Sequence, residues 1–270
     1  MTRMEQIQFL NEALLAELPQ YRAQAASFPA DADSQRRLLR ALMNARPPMP
    51  LRPDVLAVQD ALLSAEREER GVVDGSSLPV TAANPRLVLW RGDITRLRAD
   101  AIVNAANSAL LGCFVPCHGC IDNAIHSAAG LQLRDECHRL MAAQGRPEPN
   151  GQAKLTGGYN LPAQYVLHTV GPIVQGRVTG QNRAELASCY RACLELAAER
   201  GLESVAFCCI STGEFRFPNR EAAEIAVETV SRFLRQNTSI KRVIFNVFKA
   251  VDEALYRGLL GPYRAAEAGA

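Results

Sequence analysis

The sequence has almost no net charge: 30 Lys and Arg face 28 Asp and Glu, a formal +2 over 270 residues. That balance gives no whole-chain attraction to nucleic acid or to an anionic membrane surface, so neither partner is expected and any anionic ligand must be met locally. Long apolar runs are missing too, and no stretch approaches the roughly 18 or more residues that cross a bilayer. The opening MTRMEQIQFLNEALL breaks its apolar positions with charge and lacks a small-residue cleavage site. It does not read as a secretory signal, and a cytoplasmic protein is expected. Eight cysteines are too few for a disulfide scaffold, and no internal repeat or low-complexity tract supports a solenoid. What is present is an ordinary globular composition, 48% hydrophobic and 21% charged. At roughly 100–200 residues per domain, the length allows one large domain or two modest ones.

Residues 4–17, 34–45 and 54–69 carry Leu, Ala and Met at helical spacing, interrupted by Phe28-Pro29 and the run RPPMPLRP. Three amphipathic helices are expected. The Gly/Ser/Pro-rich stretch 71–85 reads as a joint. Beyond it, short β-branched runs at 87–90, 101–104, 165–170, 204–210 and 242–248 alternate with helical patterns at 120–144, 182–200, 219–236 and 250–260. Such alternation predicts an α/β sheet with helices on both faces.

Three of the cysteines crowd into LLGCFVPCHGCID, where Cys113, Cys117, His118 and Cys120 share one loop before a helix. Thiolate and imidazole are the donors zinc prefers. Cys113, His118 and Cys120 alone would leave a tetrahedral position open, as in a catalytic site, while adding Cys117 would close it as in a structural one. Small buried hydrophobes with a loop histidine are the plain alternative. Asp122 falls in the first turn of the following helix, where the dipole favours a carboxylate and where it would also stand beside a metal-bound water or a sugar hydroxyl. His126 reads as packed among Ile125, Ala128 and Ala129, Cys137 and His138 as structural, and His168 as core.

The remaining signals are loops at strand ends. Ser211, Thr212 and Gly213 follow SVAFCCI, where small residues let backbone N–H groups approach a phosphate, although S-T-G also occurs in ordinary turns. Phe215 and Phe217 flank Arg216 and read as core anchors. Asp93 in RGDIT suits an adenine amino group or a simple turn. Asn104 and Asn107 in NAANSALLG suit ribose hydroxyls or a turn.

In order along residues 86–260, GDIT, NAAN, IDNAIHSAAG and ISTGEFRFP resemble the macrodomain family, whose members bind ADP-ribose. The loop GCFVPCHGCID replaces the Gly-rich loop of most members and is similar to that of zinc-containing macrodomains that act as protein ADP-ribose hydrolases. The resemblance implies a three-layer α/β/α sandwich with a mixed central sheet in residues 81–270, preceded by a helical extension and linker in residues 1–80. It further implies that Asp93 and Ile94 hold adenine, that Ser211, Thr212, Gly213, Glu214 and Phe215 wrap the diphosphate and distal ribose, and that Asn107 contacts that ribose. Glu214 and Arg216 depart from the common pattern, so backbone contacts carry the expectation there. Asn246 and Phe248 fall where the last strand passes the adenine. One Zn²⁺ ion would be held by Cys113, His118 and Cys120, with Asn107 and Asp122 as catalytic residues. The implied substrate is a mono-ADP-ribosylated protein modified on acidic side chains, with room for a functionally linked ADP-ribosyltransferase. An ADP-ribose reader with a structural zinc, or a deacetylase of O-acetyl-ADP-ribose, are the competing expectations.

Overall fold

The computed structural model describes residues 1–264, so residues 265–270 of the expected macrodomain lie outside the described residues. The amino-terminal region forms α1 (Arg3–Glu17), the single turn α2 (Arg22–Ala25), α3 (Ala32–Ala45) and α4 (Pro53–Arg70). Local chemistry sets their starts. Thr2 and Glu5 close a reciprocal capping box on α1, the Asp31 carboxylate accepts from the Ser34 N–H at the head of α3, and Pro53 opens α4. Ile7, Leu10, Leu14, Leu39, Leu42, Val55 and Leu62 share one apolar cluster, which also takes in Leu131 from outside the extension. α2 departs from the three expected helices; four residues leave too short a pattern to recognise.

The stretch expected to be a joint carries two short strands, β1 (Val73–Asp74) and β2 (Val80–Thr81). After it come β3 (Leu87–Arg91), β4 (Leu97–Arg98), β5 (Ala101–Ala105), α5 (Ile121–Ala129), α6 (Leu131–Gln144), β6 (Ala153–Gly157) and β7 (Tyr165–Thr169). The chain continues through α7 (Gly180–Glu199), β8 (Ser204–Phe207), α8 (Asn219–Gln236), β9 (Arg242–Val247), α9 (Ala250–Leu260) and β10 (Tyr263–Arg264). β1 pairs with β4 alone, and the other eight strands form one sheet in the order β10-β2-β3-β9-β8-β5-β7-β6. The middle five run parallel, while β10, β2 and β6 join antiparallel, so the sheet is mixed and the helices flank it. Parallel strands covered on both faces read as unbroken apolar runs. Val88, Ile102, Val103, Val166, Leu167, Val205, Ala206, Val243 and Ile244 are accordingly fully buried.

Two expectations need correction. The run expected as a strand over 204–210 stops pairing at Phe207, and buried Cys208, half-buried Cys209 and buried Ile210 lead into the loop. The helix expected over 120–144 is two helices, because Gly130 adopts φ +100°, a conformation side chains rarely take. A Cβ there would lie 2.6 Å from Gln132 Oε1 and 2.7 Å from Gln59 Nε2. Replacing Gly130 by Ala should therefore cost about 1–3 kcal/mol of stability, read as a lower urea midpoint.

Candidate active site

Open α/β sheets bind ligands beyond the carboxyl ends of their parallel strands. The residues that follow β3, β5, β7 and β8 all emerge on that side, because these strands run the same way. At the end of β5, Asn104 is buried beside His168 of β7, its register partner. Its amide nitrogen lies 2.8 Å from Asp122 Oδ1 and 3.2 Å from His168 Nδ1. One amide has two hydrogens, so it donates to both. His168 must then accept at Nδ1 and donate from Nε2 to Thr156 Oγ1, 2.9 Å away. Burial pushes the His168 pKa down to about 3, in keeping with a neutral ring.

Asp122, in the first turn of α5, is 5% exposed, and burial raises its pKa to about 6 against the opposing pull of Asn104 and Arg134. Asn107 Nδ2 donates to the Gly112 carbonyl at 3.1 Å and approaches Asp122 Oδ2 at 3.4 Å. The two residues expected to act together are therefore in contact. His126, set aside in the sequence as a packed ring, is indeed buried, yet its Nε2 lies 3.5 Å from Asp122 Oδ1. The i,i+4 spacing of an acid and a histidine was the available signal.

The loop between β5 and α5 brings the ligand atoms of Cys113, His118 and Cys120 within 4.8 Å of one another. His118 Nδ1 is buried with no hydrogen-bond partner among the described residues. Two thiols and an imidazole nitrogen so grouped fit one soft or borderline divalent cation. Burial raises the Cys120 thiol to about 11, and its sulfur caps α5 by accepting from the Asn123 N–H. Cys117 does not join the trio; its thiol donates to the Arg37 carbonyl, 3.6 Å away. A second group, His126, Cys137 and His168, also gathers within 4.8 Å because α6 folds back after Gly130. Both nitrogens of His168 are already committed to Asn104 and Thr156, so this group offers a metal no free imidazole electron pair from it.

The loop after β8 stands across from this trio, with Glu214 Oε1 3.8 Å from His118 Nε2. Ser211 is buried in left-handed backbone at φ +64°, and its Oγ has no partner among the described residues. Close packing holds it there: a Cβ on Gly171, just past β7, would lie 2.0 Å from Ser211 Oγ. The turn is closed by Thr212 Oγ1 donating to the Cys209 carbonyl and by the Phe217 N–H donating to the Ser211 carbonyl. Gly213 has open space where a side chain would be, and Glu214 is exposed. Phe215 packs near Ala106, Leu110 and Val170, and Phe217 is in the main core, so both anchor the loop.

Asp93, after β3, spends Oδ1 on the N–H and hydroxyl of Thr95, while Oδ2 lies 3.7 Å from Arg70 of α4. Ile94 is buried in the core, which leaves only its main chain to meet a ligand. Asn246 donates to the Gly92 carbonyl and so braces the end of β3, whereas Phe248 is 76% exposed.

Beyond the carboxyl ends of β5 and β8, an acid-bearing helix, a soft-donor loop and a small-residue loop thus come together over an α/β sheet with a parallel centre. A family model described as "Macro domain" matches residues 103–226. A curated relative named protein-ADP-ribose hydrolase, from Treponema medium, is 51% identical over 262 residues, covering 96% of this chain and all of that one. The chain belongs to the macrodomain family. A protein-ADP-ribose hydrolase of Staphylococcus aureus strain MSSA476 is 49% identical over 231 residues, 85% of this chain and 86% of its own. Among solved structures, a Trypanosoma brucei macrodomain in complex with ADP-ribose superposes with a TM-score of 0.64 at 33% identity, covering 82% of this chain and 95% of that one.

Asn104 supplies the hydrogen bond that steadies the buried Asp122 carboxylate and the acceptor face of His168. Asn104→Ala should lower stability by about 1–3 kcal/mol, measured by urea unfolding at neutral pH.

Proposed function

We propose that this protein hydrolyses the bond between ADP-ribose and a modified protein side chain, with one zinc ion held by Cys113, His118 and Cys120. The convergence of that trio, Asp122 and the Ser211–Phe215 loop beyond the carboxyl ends of β5 and β8 carries the reading. Relatives named protein-ADP-ribose hydrolase, at about half identity over most of the chain, support it. In this reading residues 81 onward bind the nucleotide and residues 1–80 form the extension that lies against it.

A zinc ion with three protein ligands supplies Lewis acidity toward a water or the oxygens of the distal ribose. The chain's own groups do the rest. Asp93 Oδ2 accepts from the adenine amino group, with the Ile94 main chain alongside. The Ser211–Phe215 turn meets the diphosphate through backbone N–H groups; its small residues at 211–213 allow the close approach, and Phe215 anchors it. Asn107 holds a hydroxyl of the distal ribose, and Asp122 orients the attacking water directly or through that hydroxyl and takes the water's proton. Water's oxygen bonds to the anomeric carbon, the bond from that carbon to the side-chain oxygen breaks, and the products are ADP-ribose and a restored carboxylate. An acidic acceptor suits this, because an ester oxygen leaves more readily than a guanidinium nitrogen. The reaction requires an ADP-ribosyltransferase to have installed the group, and a cytoplasmic setting keeps the thiols reduced. A closed four-ligand site, which would favour a non-hydrolytic reader, needs Cys117, whose sulfur is engaged with Arg37.

The deciding experiment measures release of ADP-ribose from a protein modified on Asp and Glu, with and without a zinc chelator. Release that stops with chelator and returns with added zinc is expected; release indifferent to both would overturn the zinc-dependent mechanism. Cys120→Ala should abolish release while ADP-ribose still binds. Asp93→Ala should weaken ADP-ribose binding about 10-fold or more in calorimetry, since it removes a charge-assisted hydrogen bond.

A further inference from the structure

The segment between the outer metal-site cysteines, residues 114–119, has little structure of its own. Its one internal backbone bond runs from the His118 N–H to the Val115 carbonyl, and Cys117 sits at φ +54°, a strained conformation for a residue with a side chain. What holds it comes chiefly from α3 in the amino-terminal extension. Asn44 Oδ1 accepts from the Cys117 N–H at 2.9 Å, and the Arg37 carbonyl accepts from the Cys117 thiol. Arg40 Nη2 donates to Asn123 Oδ1 at 2.9 Å and reaches the carbonyl of His118 at 3.4 Å. The same Asn123 donates from Nδ2 to the Val115 carbonyl at 3.0 Å and from its backbone N–H to Cys120 Sγ at 3.4 Å. Asn44 Nδ2 closes the network through Ser127 Oγ, which donates in turn to Asn123 Oδ1.

Arg40 therefore binds the main chain of one metal-site residue and, through Asn123, the sulfur of another. Its Nε is buried without a partner among the described residues. A guanidinium kept there with an unmet donor gains nothing from that end and is held by what its other end does.

We propose that Arg40 and Asn44 are positioning residues for the metal loop, so that the helical extension sets the affinity of the Cys113–His118–Cys120 trio for zinc. The proposal rests on the zinc reading of that trio. Neither residue ligates the ion; each fixes the backbone that aims a ligand, and groups that orient metal ligands typically account for 10–100-fold in metal affinity.

The test uses the full chain and zinc itself, titrated in competition with a chromophoric chelator. Arg40→Ala and Asn44→Ala should each bind zinc 10–100-fold more weakly than wild type. Arg40→Lys should recover much of the loss, because one ammonium can still donate to Asn123 Oδ1. ADP-ribose affinity measured in excess chelator should change less than twofold, and hydrolysis at limiting zinc should fall in kcat and return when zinc is in excess. Zinc affinities within twofold of wild type in folded Arg40→Ala and Asn44→Ala would overturn the proposal, even if both variants had lower urea midpoints. Should Arg40→Ala fail to fold, Asn44→Ala decides alone by the same twofold criterion. A wild-type protein that binds no zinc would overturn the zinc reading itself, whereas a zinc-binding wild type with unmoved variants overturns this inference alone.

Discussion

The hydrogen bond from Asn104 to Asp122 joins the end of the central strand β5 to the head of α5, and the site is built around it. A carboxylate buried this far costs free energy unless it is met by donors and paired charge. Asn104 meets it directly, Asn107 and the ring of His126 approach it, and the guanidinium of Arg134 favours its charged form from farther away. Because both ends of the intervening loop are tied down at this bond, residues 106–120 must double back on themselves. The three soft donors come together in that turn. The same bond turns the amide of Asn104 so that its second hydrogen falls on His168, which commits that ring to Thr156 and leaves the neighbouring cysteine an inert part of the core.

Much of this was legible in the residues, for a reason of scale. The five parallel strands read as apolar runs because both faces are covered, and the long helices kept their period over three or more turns. The antiparallel strands did not. β2 and β10 have two residues each, and β6 reads Ala-Lys-Leu-Thr-Gly, with Lys and Gly weakening any alternation. The Gly130 break was hidden because apolar residues continue on either side of it. The grouping of Cys113, His118 and Cys120 could be found because they lie within eight positions of sequence. Arg40 and Asn44 could not, since 78 and 73 positions separate them from the backbone they hold. His126 was read as packed on the same helix face as Asp122, and it is buried with its ring beside that carboxylate.

The extension touches the site at two places. Through α3 it reaches the loop that carries Cys113, His118 and Cys120, and through Arg70 of α4 it reaches Asp93 and Thr95 on the far side. Leu131 of α6 sits in the apolar cluster of the helices. Buried Arg134, with its guanidinium donating to the carbonyls of Met43, Asn44 and Leu111, binds helix end and loop together. The helices and the sheet are thus tied together by both polar and apolar contacts.

The strand order has a consequence for how the chain is made. β9, at residues 242–247, lies between β3 and β8 in the middle of the sheet. Until it leaves the ribosome, β2 and β3 on one side and β8, β5, β7 and β6 on the other have no strand to join them. The amino-terminal helices, which share an apolar cluster drawn almost wholly from residues 7–63, can collapse early, while two apolar half-sheets wait with open edges for their common neighbour. Nascent chains stalled before that point are accordingly the species that a chaperone would need to shield from pairing with one another.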